Sequence, residues 1–363
     1  MLGRMDERRI AALFARAPGL TARQVRAALD RAGDLSGAAE LIRAARAPPL
    51  RALNDTRLDA DLRWLEASGA TAVLCTSALY PALLAGMAEA PPVLYLLGNA
   101  CALATPCIAM VGSRRATPAG LATAREMAAG FARAGVVVAS GLAIGIDGAA
   151  HEGALAVRGT TLGVCAHGLD LIYPREHRAL ARRVCEHGAL LSRFPPGAPP
   201  AKWRFPVRGR LLSGCALATV VVEAARRSGS LSTATAAMQQ GRAVYAVPGS
   251  IRSPLSAGCH ALLRHGARLV ESAADVLQDL NVPVQNQWDN GAPATPPRAV
   301  GGGGPLDKAS EILLDALGFE PVSLNTLVER TGLPSSGVAS LLLALELAGR
   351  VAPQPGGRYS RLS

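Results

Sequence analysis

Between residues 106 and 280, short apolar runs alternate with amphipathic stretches, and this alternation constrains the fold more than any other feature of the chain. The runs are Cys107–Val111, Gly135–Ser140, Thr160–Cys165, Ala189–Ser192, Ala218–Val222 and Ala243–Val247. Each is too short for a helix and apolar at nearly every position, which is the pattern of a strand covered on both faces. Helical patterns such as Gly120–Arg133 and Glu176–His187 lie between them. Strand and helix in alternation predict an α/β fold, a mostly parallel sheet with helices on both sides. Ligands of such sheets collect at the carboxyl ends of the strands. The loops to inspect are therefore 112–117, 140–148, 166–174, 193–210, 223–233 and 248–260.

The flanks read differently. Within 1–66, three short helices are expected at 6–15, 21–30 and 36–45, with Thr21 and Ser36 as N-caps and a Pro18-Gly19-Leu20 turn, giving a small helical-hairpin domain closed by Pro48-Pro49. A connecting segment follows, with a helix around Leu62–Ser68, a strand at Ala72–Cys75 and an extended run through Pro91-Pro92-Val93-Leu94-Tyr95, leading into a core domain assigned to 67–282. Residues 283–305 are rich in Pro, Gly and polar residues and end near four consecutive glycines, a linker composition. Residues 306–363 give three helices and a Gly-Gly hairpin, the order of a winged-helix domain. Its third helix, about Ser335–Ala348, would read DNA if the domain did, yet it holds no Lys or Arg and does hold Glu346. Duplex reading without phosphate contacts is unfavourable, so a structural or protein-contact role is expected there.

Charge separates the domains further. The net charge is +11. Residues 106–280 hold twenty basic and ten acidic side chains, and 175–210 alone hold nine against two, while the last eighty or so residues are slightly acidic. A GC-rich genome explains why Arg outnumbers Lys by 36 to 2, but not why the excess sits in one domain; a polyanionic partner does. The seven cysteines (75, 101, 107, 165, 185, 215, 259) form no C-x-x-C pair and are odd in number, which fits buried reduced thiols and implies neither a disulfide framework nor a metal site. No stretch approaches the roughly 20 apolar residues of a membrane span, and the first residues carry no signal-peptide core, so a soluble cytoplasmic protein is expected.

Four constellations could carry chemistry. Gly112-Ser113-Arg114 follows a strand directly: a glycine admits a phosphate to the backbone, a hydroxyl meets it and an arginine clamps it. The G-x-G-x-x-G fingerprint is absent, which counts against a dinucleotide cofactor, and none is expected. Ser140-Gly141 opens a tight turn at a strand's end and is assigned, with Ser228-Gly229-Ser230, to a phosphate pocket. Asp147 and His151 lie on one face of the next helix, where a packed carboxylate near a satisfied histidine is favoured over a base and its orienter, for want of a nucleophile. Lys202-Trp203-Arg204-Phe205-Pro206-Val207-Arg208-Gly209-Arg210, read as a loop, interleaves cations with aromatics in a chain that is only 4% aromatic. Cations track phosphates and aromatic faces stack bases, as an unwound strand requires. Finally, Ser228-Gly229-Ser230 opens a helix after a strand ending at Glu223, making an anion pocket expected to face Gly112–Arg114. Glu223 is either a catalytic carboxylate or an acid pairing Arg226 or Arg227.

Taken together, Met110-Val111-Gly112-Ser113-Arg114, the Ser140–His151 segment, Phe205-Pro206-x-Arg208-x-Arg210, Ser228-Gly229-Ser230-Leu231 and Ala246-Val247-Pro248-Gly249 resemble the DNA-processing protein A (DprA/Smf) family, as do Tyr80-Pro81, Pro92–Tyr95, and Gly258-Cys259-His260 before Gly266-Ala267. The resemblance is ordered and spans roughly 65–280. It implies an extended Rossmann core that forms homodimers, binds incoming single-stranded DNA during natural transformation, protects it and helps load RecA, with single-strand-binding protein as a further partner. It places DNA contacts at Arg114, Lys202 and Phe205, and dimerisation around His260–Leu269. Three positions depart from the family pattern: Gly209 replaces an Asn, Cys215-Ala216 replaces Leu-Ser, and Arg193 replaces a Glu, so a looser and more basic binding loop is expected. Two rival readings use the same pocket: a nucleotide-processing enzyme with Glu223 catalytic and Arg114 and Ser230 on phosphate, and a nucleotide sensor.

Overall fold

The computed structural model describes residues 6–45, 55–282, 308–318 and 321–362. The linker at 283–305 and the Pro48-Pro49 turn lie outside the described residues.

The N-terminal unit consists of α1 (Glu7–Arg16), α2 (Ala22–Ala32) and α3 (Leu35–Ala45). Thr21 caps α2 through a reciprocal capping box with Gln24. Ser36 does not cap α3 as expected. The Asp34 carboxylate, one residue before the helix, accepts the Gly37 N–H at 2.6 Å instead, a charged acceptor in the place predicted for a hydroxyl. The helix α4 (Asp55–Ser68) begins earlier than its apolar pattern indicated and returns the chain to the core. Ile10, Leu13 and Phe14 of α1 are buried in one cluster with Val73, Leu74 and Leu94 of the core. Each such side chain removed from water stabilises by about 1.5–3 kcal/mol, which holds the helical unit on the sheet.

The core runs β1 (Thr71–Leu74), α5 (Ala82–Ala85), β2 (Val93–Gly98), α6 (Cys101–Ala104), β3 (Cys107–Val111), α7 (Pro118–Arg133), β4 (Val137–Ser140), α8 (Ile146–Ala156) and β5 (Thr161–Val164). It continues through α9 (Arg178–His187), β6 (Ala189–Ser192), α10 (Arg204–Cys215), β7 (Ala218–Val221), α11 (Gly229–Gln239), β8 (Ala243–Ala246), α12 (Ala257–Arg264), β9 (Arg268–Leu269) and α13 (Ala273–Asp279). All six strands expected from the apolar runs are present. They lie in a nine-stranded sheet ordered β1-β2-β6-β5-β4-β3-β7-β8-β9. The strands from β6 to β9 are mutually parallel, while β2 pairs antiparallel with both β6 and β1. Every residue of β3, β4, β5, β6 and β7 is buried, because apolar clusters cover both faces.

The C-terminal unit comprises α14 (Lys308–Leu317), β10 (Val322–Ser323), α15 (Leu324–Thr331), α16 (Ser335–Leu347), β11 (Val351–Gln354) and β12 (Arg358–Arg361). Its strands form a small sheet ordered β10-β12-β11 beside a core of Leu313, Leu327, Val338 and Leu342. This is the winged-helix arrangement anticipated. No described helix is long and apolar enough to cross a membrane.

Five of the seven cysteines are buried; Cys101 is exposed and Cys185 half-buried, so burial is not general. Desolvation pushes the Cys107 and Cys165 thiols up to about 12, which keeps them protonated and unreactive.

Candidate nucleic-acid interface

At the carboxyl end of β3 the chain turns through Gly112, where a side chain would meet Ile146 at 2.5 Å. Only glycine lets the loop pass this close to the start of α8. The Ser113 N–H donates to the Glu223 carbonyl at 2.7 Å, and the Ser113 carbonyl accepts from the Ile146 N–H at 3.1 Å. Ser113 itself is buried, and its hydroxyl accepts the Arg115 N–H. This locking leaves Arg114 and Arg115 exposed at the sheet's edge.

Glu223 takes a third role, distinct from both anticipated ones. Its carboxylate accepts the Thr117 N–H at 2.9 Å and the Thr117 hydroxyl at 2.6 Å, and so anchors the N-terminus of α7. Burial pushes this carboxyl up, and the two Thr117 bonds oppose that.

The turn after β4 is held from beneath. A side chain at Gly141 would fall 1.0 Å from Arg208 Nη1, so the arginine occupies the space the glycine leaves. Arg208 is only 8% exposed; its Nη1 lies 3.6 Å from Asp147 Oδ2, which also accepts the Gly141 N–H at 3.2 Å. Desolvation pushes the Asp147 carboxyl up, with Arg208 opposing. Arg208 thus works mainly as a strut under the turn. Ser140, proposed for the phosphate pocket, is fully buried, and its hydroxyl donates to the Met110 carbonyl at 2.6 Å. Its position on a strand covered on both faces turns it away from any ligand.

The segment read as a loop at 200–210 is mostly helix. Lys202 and Trp203 precede α10, which starts at Arg204 with Pro206 in its first turn, where no backbone N–H is needed. Helical geometry separates the cations. Lys202 is exposed at the entry, Arg208 points into the core, and Arg210 pairs with Glu89 at 2.7 Å beside a different hollow lined by Met87 and Gln240. Gly209 is buried, and a side chain there would meet Thr233 Oγ1 at 2.6 Å. It sits where α10 packs on α11, so its effect is close helix contact and not the loosened loop expected. Arg193 is half-buried and not a fully solvated charge: burial lowers its pKa, with Tyr80 and Glu89 opposing.

The aromatics and the β3 loop do converge. The Arg114 guanidinium lies 5.2 Å from the centroid of the Phe205 ring, and Phe205 is 6.1 Å from Tyr173, which is 6.4 Å from His167. Trp203 is 62% exposed, edge-on to Phe194 at 6.0 Å, and the Arg204 guanidinium lies 5.0 Å from both rings. Two hollows flank the Arg114–Phe205 pair. One, of about 310 Å³, is lined by Arg114, Gly141, His167, Tyr173 and Phe205. The other, of about 600 Å³, is lined by Gly112, Arg114, Arg227, Ser228, Gly229 and Ser230. In the second, the Ser228 hydroxyl accepts the Ser230 N–H at the start of α11, and the two hydroxyls lie 2.6 Å apart. The helix N-terminus and Arg227 make that hollow suited to an anion.

The sequence reading missed Arg115, His167, Tyr173 and Arg227 as neighbours of this edge. Tyr173 lies in the 166–174 loop already marked for inspection, and a tyrosine in so aromatic-poor a chain was the available signal. Among the described residues, no group of three His, Cys, Asp or Glu side chains is placed to hold a metal.

The core, residues 71–281, matches the family model for DNA recombination-mediator protein A. This chain belongs to that family. Residues 292–357 match the DprA winged helix domain. Protein Smf of Escherichia coli is 39% identical over 308 residues, covering 84% of this chain and 81% of that protein. The crystal structure of DNA processing protein A from Streptococcus pneumoniae matches with a TM-score of 0.67 at 33% identity, over 76% of this chain and 98% of that one. A Helicobacter pylori DNA processing protein A, solved for its single-stranded DNA binding mode, matches at a TM-score of 0.53 and 27% identity, over 58% of this chain and 95% of that one. Of the two residues expected at a dimer contact, His260 lies on α12 and Leu269 on β9 at one edge of the sheet. Leu269 is 56% exposed on the edge strand β9, and His260 Nε2 lies 3.0 Å from the Gly249 carbonyl oxygen.

Proposed function

We propose that this protein binds single-stranded DNA across the carboxyl edge of its sheet, holding the strand without cleaving it. Arg114, Lys202 and the Ser228–Ser230 helix start meet phosphates, and Phe205, Trp203 and Tyr173 offer faces to bases. The observation that carries this reading is the Arg114 guanidinium over the Phe205 ring at 5.2 Å, which brings a phosphate clamp and a stacking surface from distant parts of the chain into one place. Gly112, Ser113 and Gly141 shape the backbone around that pair, and Arg208 supports it from below. The H. pylori relative, solved for its single-stranded DNA binding mode, supports the same ligand. In its cellular role the protein would act in the cytoplasm as a homodimer through the β9 edge, protect incoming DNA, cooperate with single-strand-binding protein and hand the strand to RecA.

The test is Phe205→Leu, measured by anisotropy with oligothymidylate and with an abasic strand of the same length. Stacking contributes about 1–3 kcal/mol per base, so the variant should bind the thymidylate about five- to a hundredfold more weakly and the abasic strand as the wild type does. Equal affinity of the two proteins for thymidylate would overturn the stacking role. For the recombination role, the protein should shorten the lag of RecA filament assembly on strands already coated by single-strand-binding protein; an unchanged lag would refute it.

A further inference from the structure

The Lys202-Trp203 segment is fastened by a residue from outside the core. Arg16, the last residue of α1, directs Nε and Nη2 at the Asp61 carboxylate of α4, with both distances 2.6 Å. The same Nη2 donates to the Pro196 carbonyl at 3.0 Å. Asp61 is 1% exposed, so the pair is shielded from solvent and its geometry is set by both carboxylate oxygens. Pro196 belongs to the stretch that leaves β6 and delivers the chain to Lys202. That stretch has two further anchors. The Gly197 N–H donates to Asp170 at 2.9 Å, and Arg204, set between Phe194 and Trp203, donates to the Pro199 carbonyl. Behind it lies a hollow of about 600 Å³ lined by Arg16, Trp64, Asp170, Pro196 and Arg204. The stretch therefore has room to shift once its fastening is released.

We infer that Arg16 is a positioning residue for DNA binding: the helical N-terminal unit latches the 195–199 stretch, through Asp61 and the Pro196 carbonyl, and so holds Lys202 and Trp203 where the strand needs them. Arg16 does not touch the strand. This rests on the single-stranded DNA reading above. It extends that reading by giving the N-terminal unit a part in the affinity of a groove on another domain.

The test uses the full chain with Arg16→Ala, and with the double replacement Arg16→Met, Asp61→Leu. The double variant removes the latch without leaving a buried carboxylate alone, so the helical unit stays folded. The probe is a labelled oligothymidylate in a salt titration. Both variants should bind about tenfold more weakly, the scale of one lost charged hydrogen bond, with the salt slope unchanged. With 5-fluorotryptophan, the Trp203 fluorine resonance, assigned by Trp203→Phe, should shift or broaden in the double variant in the absence of DNA. Wild-type affinity in the folded double variant would overturn the inference. So would a slope reduced by about 0.7, which would make Arg16 a phosphate contact. Failure of the wild type to bind the probe would instead count against the DNA reading, and the fluorine signal would still decide whether the latch exists.

Discussion

His151 sits in α8 with no solvent exposure, and the surrounding hydrogen bonds dictate its tautomer. The Thr161 hydroxyl donates to the Val138 carbonyl at 2.7 Å, so toward His151 Nδ1, 2.7 Å away, its oxygen can only accept. The proton is therefore on Nδ1, and Nε2 is buried without a hydrogen-bond partner among the described residues. Charging the ring would place an N–H at Nε2 with no acceptor in a desolvated site. Burial, assisted by His177 and Arg208, pushes the pKa down from 6.5 to about 3. A folded-state value below the unfolded one means that the unfolded chain binds more protons between the two. The contribution to stability is complete above about pH 6.5 and is lost as pH falls, by about 1.4 kcal/mol per unit, or about 2 kcal/mol by pH 5. The assay is urea unfolding of the wild type and of His151→Asn at about pH 7.5 and about pH 5. Asp147, whose raised pKa works in the opposite sense, is common to both proteins and cancels. The variant should lose about 2 kcal/mol less than the wild type on acidification. Equal losses would refute the buried neutral imidazole.

Two other consequences follow from the packing. Gly141→Ala places a methyl group on Arg208 Nη1, drives the arginine from Asp147 and leaves that buried carboxylate without its cation; a loss of about 3 kcal/mol should lower the thermal midpoint by about 6–12 °C, and a change of under about one degree would contradict the strut role. If the proposed dimer forms through β9, Leu269→Asp puts a charge on that exposed edge strand, so light scattering should give a dimer mass for the wild type and a monomer mass for the variant; equal masses for the two proteins would contradict a dimer through β9.

The sheet was legible because its strands are doubly buried: apolar runs such as Cys107–Val111 and Ala189–Ser192 have nowhere to lie but between two layers of helices. The antiparallel pairing of β2 with β6 was not legible, since Val93–Gly98 reads equally well in either direction and only its place beside β6 decides. At the groove, the residue types at 202–210 were informative but their directions were not. Read as a loop, all the cations could face one strand. With the helix α10 starting at Arg204, Lys202 stays outside, Arg208 turns into the space left by Gly141, and Arg210 goes to Glu89. Ser140 and Glu223 were misread for a related reason. Polar side chains at strand ends can close local hydrogen bonds, and the partners here, Met110 and Thr117, come from neighbouring strands and loops that no spacing rule identifies. Likewise, Arg16 reaches Pro196 across the chain only through the docking of two units.

The most direct test of the central claim is the salt dependence of oligonucleotide binding by the wild type and by the double variant Arg114→Ala, Lys202→Ala. Each phosphate contact on a single strand contributes about 0.7 to the slope of log K against log salt. The wild type should show a steep slope, and the double variant should bind more weakly at every salt concentration, with a slope shallower by about 1.4. An unchanged affinity and slope would contradict the claim that the edge between the β3 loop and the start of α10 holds the DNA.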